Sequence, residues 1–200
     1  MSKEKILEAA REEFAEYGFS GARVDRIAEK AKINKAMLFY YFSSKENLYK
    51  SVLKEAAEKL MSQIKSIVTP ELKARTFLEK MPEIYIRYFS RNREIVKILG
   101  RELMNEDNYY KLIITELLEN EERKTPHLIK KLIDRWINNG EIVETDQFNL
   151  LMNIISLSVF SFMGKQIAEA VLGIKVKEDK AFFDKRIKSV SNLLKRGMLK

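Results

Sequence analysis

Cysteine is absent from this sequence of 200 residues, and histidine occurs once, at His127. Without cysteine the chain forms no disulfide, offers no thiolate to a metal and has no cysteine nucleophile. It also lacks a glycine-rich phosphate loop, a His-x-x-x-His or Glu-x-x-His metal pair and a serine nucleophile motif. The sequence therefore does not predict an enzyme, and it predicts no cofactor and no metal site.

Glycine and proline are scarce as well, with seven and three residues, and long apolar runs are missing. Charged side chains interrupt each apolar run before it reaches the length of a membrane span, and the first residues, MSKEKILEAAREE, lack the apolar segment of a signal peptide. We expect a soluble, cytoplasmic protein. Apolar residues recur every three or four positions between Lys, Glu and Arg, which predicts an all-α fold.

The net charge of +8 is compatible with a polyanionic partner, but basic proteins often bind nothing acidic. The distribution of charge along the chain is more informative. Acidic side chains outnumber basic ones in residues 1–16, and the reverse holds in residues 17–50. The last predicted helix is also basic, so charge alone does not choose between the two regions.

The first fifty residues predict three helices and the start of a fourth. The first runs from about Ser2 to Tyr17 and ends at Gly18, where a left-handed residue would cap it. The second covers about Val24 to Ala31 and buries Ile27, Ala28 and Ala31. The turn Lys32-Ile33-Asn34 follows, and Asn34 caps a short third helix that reaches about Tyr41, with Leu38 and Phe42 inward. Ser44 caps a fourth helix that extends to about Ile67.

Beyond Thr69-Pro70 the pattern predicts about five further helices, giving about nine in all. They lie near residues 71–90, 92–104, 108–138, 146–171 and 179–196, with a break at Thr125-Pro126 and a kink or restart at Pro82. We expect two domains. Residues 1–46 form a domain that contains the two short helices and their turn, and residues 47–200 form a larger helical domain.

Two short helices joined by a three-residue turn and braced by a first helix form the arrangement that reads the major groove of DNA. The third helix is unusually aromatic for one that faces water. The run FSGARVDRIAEKAKINKAMLFYYFSSKENLYKSVL resembles the DNA-binding domain of the tetracycline-repressor (TetR) family. The resemblance rests on Gly18-Phe19, Ile27-Ala28, Ala31, Ile33-Asn34-Lys35, Leu38-Phe39-Tyr40-Tyr41-Phe42 and Ser44-Lys45-Glu46. It covers about 45 residues, and the rest matches only in length and helical pattern.

The resemblance implies a homodimer that places two recognition helices in successive major grooves, with half-sites roughly 34 Å apart in a near-palindromic operator. It implies a repressor that a small hydrophobic or amphipathic effector releases from double-stranded DNA. The predicted DNA-binding residues are Arg23, Lys35, Ala36, Met37, Phe39, Tyr40, Tyr41 and Lys45. Lys35 and Met37 would approach base edges, the three aromatic residues would meet thymine methyls, sugars or phosphates, and Lys45 would bind a phosphate.

The sequence departs from the family at several of these positions. Ala36 and Met37 stand where the family usually has Gly and Thr, and Tyr41 stands where it usually has His. Arg23-Val24 replaces a Thr pair that caps the second helix, so Arg23 either binds the same phosphate or is solvated. Tyr40 and Tyr41 have a structural alternative, packing against the first helix. Base preference therefore does not transfer from the family.

The resemblance assigns ligand binding and dimerisation to the helical domain of residues 47–200. This domain offers candidates for an effector pocket and a dimer interface. The pocket candidates are Phe77, Met81, Tyr85, Tyr88, Phe89, Met104, Tyr109, Tyr110 and Trp136, each of which is more often a core residue than a ligand contact. The dimer candidates are Phe162, Phe183, Ile187, Val190 and Leu194, on two faces that in the family form a four-helix bundle. A monomer with a larger core is the alternative.

Two other functions are compatible with a helical chain of this kind. One is a helical ligand-sequestering or protein-interaction module without specific DNA binding. Lys35, Tyr40, Tyr41 and Lys45 argue against it, because such a module has no need of these side chains on one surface. The other is an activator, which differs from a repressor only in promoter geometry.

Overall fold

The computed structural model describes residues 2–104, 108–121 and 123–200, and it is all-α in this part of the chain, as the sequence predicts. The helices are α1 (Ser2–Gly21), α2 (Val24–Lys30), α3 (Lys35–Phe42), α4 (Lys45–Ile67), α5 (Ala74–Arg91), α6 (Arg93–Glu102), α7 (Tyr109–Asn120), α8 (Lys124–Asn138), α9 (Gln147–Val159), α10 (Lys165–Leu172) and α11 (Lys180–Met198). A 3₁₀ turn, Phe160–Phe162, lies between α9 and α10. An isolated antiparallel bridge joins Ile142 and Leu199.

The described helices number eleven where the sequence predicts about nine, because two predicted helices are each divided. The predicted break at Thr125-Pro126 lies instead between Asn120 and Lys124. Pro126 is accommodated in the first turn of α8, where its missing N–H has no intrahelical partner to lose. The predicted helix at 146–171 is divided by the 3₁₀ turn. Pro82 does not restart a helix, since α5 continues through it.

The regular part of α1 ends where the cap is predicted, but the conformation of Gly18 is not the left-handed helical one that was expected. Gly18 has φ of +67° and ψ of 179°, a conformation outside the helix that interrupts α1 and that glycine adopts without steric cost. A short helical segment then continues to Gly21. The predicted end at Tyr17 is therefore the point where the regular helix stops.

The chain divides into two compact units. Unit 1 consists of Met1–Lys59 with Asn92–Leu117, and unit 2 consists of Leu60–Arg91 with Leu118–Lys200. The predicted boundary between residues 46 and 47 divides the chain by function and not by compactness, and it stays a prediction. Within unit 1, α6 and α2 pack against α1, and α3 packs against α2.

The core of unit 1 collects the apolar stripe of α1 and the inward residues of the helices that follow. Ile6, Phe14, Ile27, Leu38 and Leu48 are fully buried. Ala28 and Ala31 are buried too, so the predicted inward face of α2 is confirmed. Burying several such side chains stabilises the fold by about 1.5–3 kcal/mol each, which fixes the short helices that tertiary contacts alone hold in place.

Unit 2 has its own apolar core, in which α5 packs against α8, α9 and α11. Trp136 is buried at its centre, with its ring 5.2 Å from that of Phe77, and its indole N–H donates to the Leu72 carbonyl at 3.1 Å. The C-terminal end of the chain is bonded to the same unit, because the Val143 N–H donates to the Met198 carbonyl at 2.8 Å. Among the described residues no single helix is long and apolar enough to cross a bilayer, although the bent pair Gln147–Phe162 and Lys165–Leu172 together has that length and composition.

Candidate nucleic-acid interface

Helix α3 separates an inward face from an outward one. Leu38 and Phe42, four residues apart, are buried against the rest of unit 1. All the other residues of the helix are exposed: Lys35, Ala36, Met37, Phe39, Tyr40 and Tyr41. Tyr40 is 84% exposed, and its ring meets the edge of the Tyr41 ring at 5.5 Å. The structural alternative, in which these tyrosines pack against α1, does not describe Tyr40.

The turn before α3 fixes the direction in which this face points. Lys32 adopts a left-handed conformation with φ of +56°, and the N–H groups of Lys32 and Ile33 donate to the carbonyls of Glu29 and Ala28. This pair of bonds is a Schellman end for α2. Asn34 then caps α3, because its side chain accepts the Met37 N–H at 2.7 Å. The predicted cap is confirmed, and the turn needs no glycine.

The start of α2 is held by a buried carboxylate on α1, an interaction that was not predicted from the sequence. Arg23 is the N-cap residue and its side chain makes no capping bond. Instead the buried carboxylate of Glu13, on α1, accepts the Arg23 backbone N–H at 3.0 Å and the Arg26 Nε–H at 2.6 Å. The Arg26 guanidinium lies 4.0 Å from the centre of the Tyr17 ring, and its hydrogen bond to Glu13 raises the pKa of Arg26. An acidic residue on the apolar stripe of α1 was the available signal.

Lys45 is the first residue of α4, which begins with a confirmed cap: the Ser44 hydroxyl accepts the Asn47 N–H at 3.0 Å. The Lys45 ammonium donates to the Ser20 carbonyl at 3.3 Å and lies 5.0 Å from the centre of the Phe19 ring. An ammonium has three donors, so this bond leaves capacity for a phosphate. Arg23 is exposed beside the start of α2. Phosphate binding by Lys45 and Arg23 stays a prediction.

An ion pair joins the first turns of α2 and α3. The Lys35 ammonium lies 2.9 Å from a carboxylate oxygen of Asp25, and both side chains are more than half exposed. The hydrogen bond from Lys35 holds the pKa of the Asp25 carboxyl below its ordinary value, with the positive charge of Lys35 and of Arg23 adding to the effect. Asp25 is therefore a carboxylate at the edge of an otherwise basic and aromatic surface.

Two further contacts brace α1 within unit 1. The Arg101 guanidinium, at the end of α6, donates to the carbonyls of Phe14, Ala15 and Glu16 at 3.1, 2.7 and 3.2 Å. These carbonyls are the ones that the break at Gly18 leaves without helical partners. The buried carboxylate of Glu102 accepts the Tyr49 hydroxyl at 2.7 Å, and burial raises the pKa of Tyr49 above its usual range. The roles of Arg101 and Glu102 were not predicted from the sequence.

The predicted pocket residues fall into two groups. Phe77, Met81, Tyr88, Phe89 and Trp136 are buried in unit 2, and Tyr85 is half-buried there. Met104, Tyr109 and Tyr110 belong to unit 1, where Met104 is 83% exposed and burial raises the pKa of Tyr110 to about 12. Met104 and Tyr109 line an open cleft of 870 Å³ whose other lining residues include Tyr17, Phe19, Tyr49 and Arg101. The structure thus does not gather all nine residues in one unit.

The predicted dimer residues differ in burial, and their contact with a second copy of the chain stays a prediction. Val190 and Leu194 are buried within their own chain, and Phe162, Phe183 and Ile187 pack against the same core. Other apolar side chains of unit 2 are exposed instead: Phe148, Met152 and Ile155 on α9, Ile167 and Val171 on α10, and Leu193 on α11. The helices named for dimer contact present an apolar surface, but through residues adjacent to the predicted ones.

The described residues gather no cluster of three or more His, Cys, Asp or Glu side chains suited to a metal ion. The site offers an ammonium, aromatic rings and a thioether, presented on a capped helix that the rest of unit 1 holds.

Comparison with known proteins gives matches over both units. Residues 6–52 match the family model of bacterial regulatory proteins, tetR family. The HTH-type transcriptional regulator RutR of Escherichia coli strain K12 is 26% identical over 204 aligned positions, covering 98% of this chain and 90% of that protein. The HTH-type transcriptional repressor SCO4008 of Streptomyces coelicolor is 46% identical over 54 residues, which are 27% of this chain and 28% of that protein.

Among solved structures, the transcriptional regulator FadR from Bacillus subtilis in complex with stearoyl-CoA superposes with a TM-score of 0.70 at 20% identity, covering 96% of each chain. At this level of identity the match establishes the fold.

Proposed function

We propose that this chain is a TetR-family transcriptional repressor that a small effector releases from DNA, since residues 6–52 match the family model and RutR aligns along nearly the whole chain. The outward face of α3 carries the proposal. Six of its eight residues are exposed, three of them are aromatic, and the helix is capped and held by two buried residues. An aromatic surface of this kind costs free energy in water unless a partner covers it.

The major groove of DNA suits this face by size and chemistry. An α-helix fits the groove, where Lys35 reaches guanine acceptors, and Met37, Phe39, Tyr40 and Tyr41 meet thymine methyls, sugars or phosphates. Ala36 allows the backbone of α3 to approach closely. Arg23 and Lys45, at the starts of α2 and α4, bind phosphates on either side of the groove. These roles put the protein on chromosomal DNA, in the cytoplasm.

A homodimer follows from the same proposal. The exposed apolar side chains of α9, α10 and α11 form a surface of the kind that subunit interfaces cover. Two copies related by a twofold axis would bring two α3 helices to half-sites about 34 Å apart, so the operator is a near-palindrome.

The effector is a small hydrophobic or amphipathic molecule bound by residues 47–200. The aromatic and methionine side chains of unit 2 supply apolar surface, and a protein of the same fold binds stearoyl-CoA. Release requires that the effector bind the DNA-free conformation more tightly than the DNA-bound one. The protein acts by these two binding equilibria and not by catalysis.

Selection of operators from random duplex DNA tests the proposal. The purified protein should enrich a near-palindromic sequence, and its affinity for that sequence should fall steeply as salt rises. A Lys35→Ala, Tyr40→Ala double variant should bind the enriched operator more weakly by roughly 1–3 kcal/mol for each lost base contact. A Lys73→Ala variant, which removes an exposed lysine of unit 2, serves as the charge control and should retain affinity.

If the selection enriches no sequence, or if wild type and double variant bind the enriched duplex equally, the proposal is wrong and a helical module without specific DNA binding takes its place. The effector is tested separately. Stearoyl-CoA, together with single-chain fatty acids and planar aromatic compounds, is added to the protein–operator complex. Release by at least one class supports the effector part, and retention of the operator with all of them contradicts it.

A further inference from the structure

The Asp25 carboxylate lies at the edge of the proposed DNA-binding surface. This residue lies in the first turn of α2, and its side chain pairs with the Lys35 ammonium at 2.9 Å. Lys35 is in turn the first residue of α3. The pair therefore spans the two helices of the helix-turn-helix at the ends that face DNA in the proposed function.

A carboxylate in this place works against general DNA binding. DNA presents phosphates along its whole length, and a lysine that releases counterions on contacting one of them adds sequence-independent affinity. Asp25 repels those phosphates and holds the ammonium that would otherwise bind them. An aspartate is ionised at neutral pH, and the hydrogen bond from Lys35 lowers the pKa of Asp25 further.

The ion pair leaves Lys35 able to read a base. Its ammonium has three donors, and Asp25 uses one. The other two are available to an acceptor pair such as O6 and N7 of guanine, which is the major-groove pattern that lysine recognises. A phosphate, by contrast, is an anion that the Asp25 carboxylate repels, whereas the guanine acceptors carry no net charge.

We propose that Asp25 is a positioning residue that sets the sequence specificity of DNA binding, by directing the Lys35 ammonium to a base edge and away from phosphates. The inference rests on the proposed function. It goes beyond it, because the specificity comes from a carboxylate that itself touches no DNA. Neutralising Asp25 strengthens binding to DNA that lacks the operator sequence and leaves operator binding unchanged or weaker.

The test is a double-mutant cycle on two duplexes. Wild type, Asp25→Asn, Lys35→Ala and the combined variant are titrated, as full chains across a salt series, with the selected operator and with a scrambled duplex of equal length and composition. Glu29→Gln is the control, because it removes one exposed carboxylate from the same helix. Asp25→Ser, which suits the start of a helix, repeats the test with a second side chain.

We expect Asp25→Asn to bind the scrambled duplex about fivefold more tightly, since a surface lysine freed from its partner gains an interaction of ion-pair strength. The plot of log affinity against log salt should steepen by about 0.9, the value for one more phosphate contact. The ratio of operator to scrambled affinity should fall by at least the same factor. In the Lys35→Ala background, Asp25→Asn should change neither the salt slope nor the ratio of operator to scrambled affinity. Glu29→Gln should leave that ratio unchanged.

Two results would overturn the inference while leaving the proposed function in place. One is an unchanged salt slope on scrambled DNA for both Asp25 variants. The other is equal tightening on both duplexes that persists without Lys35, which would be an effect of net charge alone. A role of Asp25 confined to the α2 dipole would change thermal stability but not the slope. Failure of the operator selection itself overturns both the inference and the proposed function.

Discussion

Helix α3 and the core of unit 2 use aromatic side chains in opposite ways. Unit 1 leaves Phe39, Tyr40 and Tyr41 on its surface, whereas unit 2 buries Phe77 and Trp136 in its core. Buried aromatic residues need no explanation beyond stability, because each removes a large apolar area from water. Exposed ones on a capped helix contribute little to stability, so their presence indicates a partner. The contrast separates residues that hold the fold from residues that the proposed function assigns to DNA binding.

The largest effect is expected from the core of unit 2. Phe77→Ala removes a fully buried ring beside Trp136, and it should lower the free energy of unfolding by about 3–5 kcal/mol. Urea unfolding followed by the fluorescence of Trp136, which is the only tryptophan, measures it. Tyr40→Ala is the matched control in unit 1, and it should stay within about 0.5 kcal/mol of wild type while weakening DNA binding. Equal destabilisation by the two variants would remove the distinction between the units.

Arg101 should give the next largest effect. Arg101→Ala leaves three carbonyls of α1 without the guanidinium that they accept from, and we expect a loss of about 1–2 kcal/mol in the free energy of unfolding. Arg101→Lys keeps the charge but not the planar fork, and it should recover only part of the loss. Full recovery with lysine would show that charge, and not the three hydrogen bonds, supports the end of α1.

Helix caps give a smaller effect that can be compared directly between the units. Asn34→Ala removes the cap of α3 and Asp146→Ala removes the cap of α9, and each should cost about 1 kcal/mol of stability. Only the α3 variant should also lose operator affinity, because its helix carries the proposed DNA contacts. Thermal unfolding and DNA titration of both variants check this, and parallel loss of DNA binding would contradict the assignment of the reading surface to α3.

The smallest effect is a pH dependence in unit 2. Hydrogen bonds from Arg87 and then Lys80 hold the pKa of Glu83 below its ordinary value of 4.5. A lowered folded-state pKa stabilises the fold above the unfolded value, and that contribution is lost as the pH falls through the folded value. Glu83→Gln should therefore lower the melting temperature slightly at neutral pH, and the difference from wild type should vanish in acid. A difference that persists in acid would indicate packing instead.

The sequence predicted best where a local rule applied. Asn34 and Ser44 were recognisable as caps from residue type and position, and Leu38 and Phe42 as the inward pair of α3 from their spacing. Gly18 marked the end of the regular part of α1. In each case the interaction lies within a few residues of chain, so the pattern itself contains the cause.

Prediction failed where the partner is distant in sequence. Glu13 serves the start of α2, and although its place on the apolar stripe of α1 indicates burial, its partners Arg23 and Arg26 lie 10 and 13 residues further along the chain. On the wide apolar face of α11, periodicity could not tell that Val190 and Leu194 enter the core of their own chain. The break between α7 and α8 was assigned to Pro126, although proline is tolerated in the first turn of a helix.

The most direct test of the central claim is methylation interference on the selected operator, since methyl groups at guanine N7 lie in the major groove. The account predicts two symmetrical clusters of interfering guanines about one helical turn apart, with at least one position in each cluster losing its effect in Lys35→Ala. An operator whose binding is indifferent to major-groove methylation, or a pattern that Lys35→Ala and wild type share in full, would contradict the assignment of sequence reading to α3.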